Sequence, residues 1–311
     1  MKKSISIIVL LLLMNSFVAG NMYAGDKKKV VHIFILAGQS NAVGFNEAAT
    51  YKAGKDSFDM RFLNHSRVLF WPGTNAVKGV AGRWIALQTG ASNMPGWPYK
   101  NAFGPEIGFA HTIQTLMPGE DIAILKYAVG GTGIARSSDY HDYIPSLKGF
   151  DDKGQNWHFP EPGKQTGELY IQFMNNIRNG MDSLKKIYRH CRIRGLIWMQ
   201  GEHEAGISKT MAGDYAILLA GFIQSIRKDL QIKHLPVVIG QVNLNTWAFG
   251  DLARQRQMEY SATDPYSKLI QTTDLPRNGN GDTAHFDAEG MLLLGERFAE
   301  EMLQLLKARE K

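Results

Sequence analysis

Short apolar runs rich in β-branched residues alternate along this chain with longer segments of helical period, and this alternation is the feature that most constrains the fold. It is typical of a parallel sheet covered by helices. Each predicted strand is apolar enough to be buried on both faces. The strands are predicted at residues 30–36, 67–70, 122–128, 193–199, 237–242 and 268–271. The sequence therefore predicts an α/β fold, with one domain over residues 30–308.

Two apolar stripes mark the clearest helices, and two other segments resist a helical or strand interpretation. One stripe runs from Leu169 to Tyr188 at steps of three or four, and another covers about residues 288–306. Residues 46–98 and 137–165 are predicted to form long loops. Loops of this length often shape a binding site, and an aromatic residue such as Trp157 would suit a sugar ring. Plain surface insertion is the alternative for both loops.

The N-terminus has the pattern of an export signal. Two lysines precede an apolar run over residues 5–13, and small residues follow it. The run is shorter than the roughly 20 residues that a spanning helix needs, so no stable membrane anchor is predicted. We predict a signal peptide over residues 1–20, with cleavage as late as residue 24, and a short basic linker over residues 21–29. The protein is then secreted or periplasmic.

Composition excludes several classes of partner. The formal net charge is +6, but the basic residues are dispersed, so no nucleic-acid partner is predicted. Cys191 is the only cysteine, which rules out an intrachain disulfide, and its apolar surroundings predict a buried structural thiol. His203 and Glu204 begin a zinc-protease motif, but Ile207 stands where its second histidine would be. Neither a metal nor a cofactor is implied.

One serine lies where an enzyme of this fold class would place a nucleophile. The first predicted strand leads into the segment Gly-Gln-Ser-Asn, which contains Ser40. Open α/β sheets bind ligands at the carboxyl edge of their strands. The N–H groups of Ser40 and its neighbours at a helix start would meet a developing oxyanion there. Capping of the helix by Ser40 is the alternative.

A serine nucleophile needs a base, and the base needs an acid that orients it. Of nine histidines, His285 has the matching context, because it ends an Asp-x-x-His segment in a Gly/Asn-rich loop before the last helix. The spacing lets Asp282 and His285 project from one turn, so that Asp282 orients the imidazole. Capping of the last helix by these two residues is the alternative, but Asp287 is better placed for it.

Three motifs in order make the sequence similar to a known family. The Gly-Gln-Ser-Asn segment, Trp-Met-Gln-Gly-Glu at residues 198–202 and the terminal Asp-x-x-His together resemble the sialate O-acetylesterase-like and acetylxylan-esterase-like branch of the SGNH hydrolases, a branch similar to carbohydrate esterase family 6. The resemblance spans nearly the whole mature chain. It implies a three-layer α/β/α sandwich of flavodoxin-like type with a mostly parallel central sheet.

The resemblance also implies residue roles. Ser40 corresponds to the nucleophile, His285 to the base and Asp282 to the acid. Oxyanion donors correspond to the N–H groups of Ser40 and Gly131 and to the side chain of Gln200. Residues that resemble supporting positions are Gln39, Glu202, Arg254 and Gln255.

The sequence departs from the commoner SGNH pattern at two of these positions. Gln39 replaces the aspartate of Gly-Asp-Ser, and Gln200 replaces the oxyanion asparagine, as they do in the acetylesterase branch. The longer glutamine side chain can still present an N–H. Glu202 is a second candidate for the acid near His285.

The implied function is hydrolysis of acetyl esters on a carbohydrate such as sialic acid or xylan, through an acyl-enzyme on Ser40. A non-catalytic carbohydrate-binding protein that keeps the hydrolase fold is an alternative, which the intact serine, histidine and aspartate disfavour. A thioesterase or lipase for non-sugar esters is another, which the polar loops disfavour. A nucleotide site at residues 131–136 is disfavoured because Arg136 replaces the third glycine of that motif.

Overall fold

The computed structural model covers most of the chain that follows the predicted signal peptide. Residues described by the structure are 29–44, 64–73, 75–76, 79–91, 101–143, 155–243, 247–279 and 281–309. The predicted signal peptide and nearly all of the basic linker lie outside them. Within the described ranges, no helix combines the length and the apolar character needed to cross a membrane.

The described residues contain a seven-stranded, mostly parallel sheet. Its strands are β1 (Val30–Gly38), β2 (Asn64–Trp71), β3 (Ile85–Gln88), β4 (Asp121–Ala128), β5 (His190–Met199), β6 (Val237–Gly240) and β7 (Ser267–Ile270). Their order in the sheet is β3-β2-β4-β1-β5-β6-β7, and only the β2–β3 pair is antiparallel. β1 is therefore central, and its carboxyl end lies between those of β4 and β5.

Helices cover both faces of this sheet, because successive side chains of β1 point to opposite sides. The helices are α1 (Ser40–Val43), α2 (Glu106–Leu116), α3 (Glu168–Leu184), α4 (Glu202–Ile207), α5 (Lys209–Asp229), α6 (Gly250–Thr263) and α7 (Ala288–Ala308). Ile33 and Ile35 pack in one core cluster with α3 and α5, whereas Phe34 and Leu36 pack in another with α2 and α7. The predicted three-layer α/β/α sandwich is confirmed.

Each of the six predicted strands is present within three residues of its predicted ends, but β3 was not predicted. It is a short edge strand inside the segment 46–98, where β2 also begins, so the prediction of one long loop is wrong there. The four residues Ile-Ala-Leu-Gln carry no clear period. Their strand conformation depends on antiparallel pairing with β2, for example between Phe70 and Ile85.

Two predictions about individual side chains are wrong. Trp157 is fully buried, with its ring against those of Trp198 and Phe222, so it cannot stack on a sugar. Its indole N–H donates to Thr132 Oγ1 at 2.8 Å, which satisfies its polar atom and lets the ring join the core. Cys191 is half-buried rather than buried. Burial nevertheless raises the pKa of its thiol.

A buried ion pair anchors the short helix that carries Ser40. Lys126 in β4 donates to Glu106 Oε2 at 2.7 Å and to Val43 O, at the end of α1, at 2.9 Å. Both charged side chains are 2% exposed. Removal of one partner from such a pair is strongly destabilising, since it leaves an uncompensated buried charge. The pair therefore fixes the end of α1 against β4.

Candidate active site

Ser40 lies at the carboxyl edge of the sheet, immediately after β1. Gly38 has φ +144°, and a Cβ there would stand 1.9 Å from Met199 O, so only glycine permits this approach of β1 to β5. The next residue, Gln39, donates its N–H to Met199 O at 2.9 Å. Gln39 also occupies the N-cap position of α1, without a side-chain cap bond. Ser40 therefore does not cap the helix.

Two backbone N–H groups at the carboxyl edge of the sheet are unpaired within the described residues. The N–H groups of Ala42 and Val43 donate to Gln39 O, at 2.8 and 2.9 Å. Those of Ser40 and Gly131 donate to no acceptor in the described ranges. Ser40 follows β1 and Gly131 follows the adjacent β4. Unpaired donors at the ends of two neighbouring strands are what an oxyanion hole requires.

His285 and Asp282 form the predicted hydrogen-bonded pair. His285 Nδ1 lies 3.0 Å from both carboxylate oxygens of Asp282. The carboxylate also accepts from Asn278 Nδ2 and from the N–H groups of Ala284 and His285, each at 3.2 Å. Burial raises the pKa of Asp282, but the attraction of His285 and these hydrogen bonds outweigh it and lower the pKa overall. An ionised Asp282 fixes the tautomer with Nδ1–H and leaves Nε2 for proton transfer.

Asn41 connects the loop that contains His285 to α1, the helix that begins at Ser40. Its Nδ2 donates to Ala284 O at 3.1 Å, and its Oδ1 accepts the N–H of Phe286 at 3.3 Å. These two contacts lie on either side of His285. Asn41 also directly follows Ser40, so its side chain brings the two predicted catalytic segments together. Asn41 was not predicted to have a role, because nothing in the sequence except its place in the motif marks it.

Glu202 supports Asn41 rather than His285. It is fully buried, and its Oε1 accepts from Asn41 Nδ2 at 2.9 Å. Its Oε2 has no hydrogen-bond partner among the described residues. Of the two candidate acids, Asp282 is the one in contact with His285. Burial raises the pKa of Glu202 to about 7, against the opposing effect of the hydrogen bond from Asn41.

The raised pKa of Glu202 makes stability depend on pH. Between pH 4.5 and 7 the unfolded chain has lost this proton and the folded chain keeps it, so this group lowers the free energy of unfolding as pH rises. The shift from 4.5 to about 7 corresponds to roughly 3 kcal/mol. We expect the free energy of unfolding of Glu202→Gln, relative to that of wild type, to increase by about this amount between pH 4.5 and 7. Denaturant unfolding at several pH values measures it, and a constant difference would contradict the interpretation.

Both ends of the Gln200 side-chain amide are hydrogen-bonded within the protein. Its Nε2 lies 2.6 Å from Glu204 Oε2, 3.0 Å from Thr132 O and 3.2 Å from Gln39 Oε1. Its Oε1 accepts from the hydroxyl of Tyr215 at 2.8 Å. An amide nitrogen has only two hydrogens, so an oxyanion that bound here would replace one of these acceptors.

Glu204 fixes the loop over residues 130–136, which carries Gly131. Its Oε1 accepts the N–H groups of Ile134, at 2.5 Å, and of Ala135, at 3.2 Å, while its Oε2 accepts from Gln200. The carboxylate is fully buried. This role of Glu204 was not predicted from the sequence, where the residue was interpreted only as part of a zinc motif. Its one sequence signal was an acidic residue two positions after Glu202.

The remaining predicted supporting residues divide between the site and the surface. Arg254 donates to Val242 O at 2.6 Å, so it stabilises the chain after β6. Gln255 lies on the exposed side of α6, and its predicted place at the site is wrong. Gln257 takes that place: it is buried, donates to Gln200 O at 3.2 Å and accepts from the N–H of Val242 at 2.8 Å. In the described part of the chain, no three His, Cys, Asp or Glu residues are grouped so that they could hold a metal ion.

Solved structures share this fold at low sequence identity. A protein from Arabidopsis thaliana matches with a TM-score of 0.62 and 19% identity, over 88% of this chain and 98% of its own. NanS matches with a TM-score of 0.62 and 16% identity, over 91% and 99%. A carbohydrate acetylesterase from Xanthomonas citri matches with a TM-score of 0.56 and 19% identity, over 89% of this chain but 57% of its own.

The fold and the site define the class of protein. A mostly parallel sheet between helices, with a serine after its central strand and an Asp-x-x-His segment before the last helix, is the arrangement of the SGNH-type hydrolases. Among curated proteins, none matches the chain. The profile of one family, "Carbohydrate esterase, sialic acid-specific acetylesterase", matches residues 30–304. The chain therefore belongs to this family, and it is a carbohydrate acetylesterase, a carboxylic ester hydrolase.

Proposed function

We propose that the protein is a secreted serine esterase that removes O-acetyl groups from a glycan through an acyl-enzyme at Ser40. The observation that carries the proposal is the pair of hydrogen bonds at the Asn41 side chain, which donates to Ala284 O and accepts the N–H of Phe286. They hold His285 in the loop next to Ser40, at the edge of the sheet where open α/β folds bind ligands. The contact between His285 and Asp282 supports the role of His285 as base.

The first half of the reaction forms the acyl-enzyme. Ser40 Oγ attacks the carbonyl carbon while His285 accepts the hydroxyl proton, and Asp282 stabilises the resulting imidazolium. The N–H groups of Ser40 and Gly131 donate to the tetrahedral oxyanion. Gln200 joins as a third donor by exchanging its longest contact, the 3.2 Å bond to Gln39 Oε1. His285 then gives its proton to the departing sugar oxygen, which breaks the ester bond, completes the first half and leaves the acetyl group on Ser40.

The second half releases acetate. A water molecule then attacks the acetyl carbonyl on Ser40, with His285 again accepting a proton. Collapse of this second intermediate regenerates the Ser40 hydroxyl. The step uses the same oxyanion donors, so one site serves both halves.

Export completes the proposal. The signal peptide over residues 1–20 directs the chain out of the cytoplasm, and the domain over residues 30–308 acts there on acetylated carbohydrate. Sialic acid, xylan and other acetylated glycans are the candidate substrates. The family match favours sialic acid.

Acetate release tests the proposed function directly. The mature chain is incubated in parallel with 4-nitrophenyl acetate, acetylated xylan and O-acetylated sialic acid, and free acetate is measured. We expect release from 4-nitrophenyl acetate and from at least one glycan, and the larger kcat/KM identifies the substrate. Release from none of the three would contradict the proposal.

A further inference from the structure

A cavity of about 350 Å³ lies beside the loop that carries Gly131. The residues that line it include Ala135, Tyr140 and His158. Ala135 follows Gly131 by four residues, so their Cα atoms lie at most about 14 Å apart. In the proposed reaction the acetyl oxygen meets the N–H of Gly131, so a glycan that carries this acetyl group can extend over that distance to the cavity. The volume falls within the roughly 300 to 1,000 Å³ of small-ligand clefts.

His158 in this cavity has buried polar atoms without partners. The residue is 2% exposed, and neither ring nitrogen makes a hydrogen bond among the described residues. The carboxylate of Glu161 lies 3.4 Å from Nε2, but not in hydrogen-bonding geometry. Unpaired polar atoms in a protein interior cost free energy, and they are commonly found where a ligand or water completes the site.

The charges around His158 indicate a neutral ligand. Burial lowers the pKa of His158, and Arg136 and Lys164 lower it further, against the opposing effect of Glu161 and Asp139. The neutral ring, which has one donor and one acceptor, is therefore favoured. Arg136 pairs with Asp139 at 3.0 Å, and Lys164 pairs with Glu161 at 3.0 Å. Two further carboxylates of the lining, Asp142 and Asp214, would repel an anion, and the charged groups of Arg136 and Lys164 would repel a cation. A hydroxyl group, which both donates and accepts, matches the neutral ring without meeting a like charge.

The cavity is held at a fixed position relative to the oxyanion donors. The N–H of Trp157, next to His158, donates to Gly133 O at 2.8 Å, and its indole N–H donates to Thr132 Oγ1. Gly133 has no room for a side chain, because a Cβ would lie 2.9 Å from Glu204 Oε1. The segment with His158 and the loop with Gly131 therefore form one packed unit.

We propose that this cavity is a subsite for a neutral sugar unit linked to the acetylated one, and that His158 binds a hydroxyl group of that unit. The inference rests on the proposed function. It makes the enzyme selective for glycan-linked substrate over the free acetylated monosaccharide. Tyr140, His141, Thr210 and the charged side chains of the lining supply the remaining polar wall.

The test compares a free and a linked substrate. O-acetylated sialic acid is assayed alone and within sialyllactose, in which a neutral galactose follows the sialic acid; acetylated xylose and xylotriose replace them if xylan is preferred. We expect wild-type KM to be about tenfold lower for the linked form, the effect of one hydrogen bond. His158→Phe keeps the stacking on Phe159 but lacks ring nitrogens. It should abolish the KM difference and leave kcat unchanged.

Two further variants separate binding from folding. His234→Phe makes the same change at a ring stacked on Tyr266, before β6 and so at the opposite edge of the sheet, and should keep the KM difference. His158→Gln keeps a donor and an acceptor and should restore most of it. Equal wild-type KM values for the free and the linked substrate would overturn the subsite. So would a His158→Phe variant that impairs activity equally on both substrates and a His158→Gln variant that does not restore it. Absence of any acetate release by wild type would instead overturn the proposed function.

Discussion

Ser40→Ala is expected to lower kcat for 4-nitrophenyl acetate by roughly 10⁴- to 10⁶-fold, because no acyl-enzyme can form without the hydroxyl. KM should change little, since the substrate contacts are retained. The residue is 7% exposed, and the substitution removes a single oxygen atom. The free energy of unfolding should therefore stay within about 0.5 kcal/mol of wild type. Steady-state kinetics and denaturant unfolding of the mature chain measure the two quantities.

The same assay ranks the other members of the site. His285→Ala should cost about as much as Ser40→Ala, and the double variant little more, because the two residues act as a unit. Asp282→Asn should cost roughly 10³- to 10⁴-fold through loss of the required tautomer. If Glu202→Gln abolished activity and Asp282→Asn kept it near the wild-type value, Glu202 would instead be the acid that orients His285. A Ser40→Ala variant that retains wild-type activity would exclude the acyl-enzyme.

The sheet was predictable because its strands carry their signal locally. Six strands are continuous apolar runs, and the burial of both faces in a parallel sheet requires that pattern. The edge strand β3 was not predictable, because its four residues take their conformation from pairing with β2. Lys126 shows the same limit. A lysine within a buried strand conflicts with the local pattern, and its partners, Glu106 and the carbonyl of Val43, are distant in sequence.

The site was predictable where a motif places residues close in sequence. Asp282 and His285 share one turn, so their spacing alone predicted the contact that the structure contains. Asn41 and Glu204 act across more than 60 residues of sequence, on Ala284 and Ile134. The partners in each contact are not linked by a short, fixed sequence spacing, so a motif search cannot predict them. Trp157 was misplaced for a related reason, since a loop position predicts exposure but its packing depends on partners elsewhere in the chain.

Glu204 connects the two halves of the proposed oxyanion site, which makes its substitution informative. Its carboxylate accepts from two N–H groups of the loop with Gly131 and from Gln200. In Glu204→Gln, one oxygen becomes an NH₂ group that faces either the loop donors or the Gln200 amide. Two N–H donors that face each other in a buried site cost about 1 to 3 kcal/mol. The loop that carries Gly131 would move away to avoid this cost.

We expect Glu204→Gln to lower kcat by roughly 10²- to 10³-fold with little change in KM, because a displaced Gly131 N–H no longer meets the oxyanion. Ile226→Val is the matched control: Ile226 is fully buried in α5, near its end remote from the site, and the change costs about 0.5 to 1.5 kcal/mol. If instability alone caused the loss, both variants would lose activity in proportion to their unfolding free energies. If Glu204 positions the oxyanion loop, the control keeps its kcat, and the defect of Glu204→Gln persists at temperatures where both variants are fully folded.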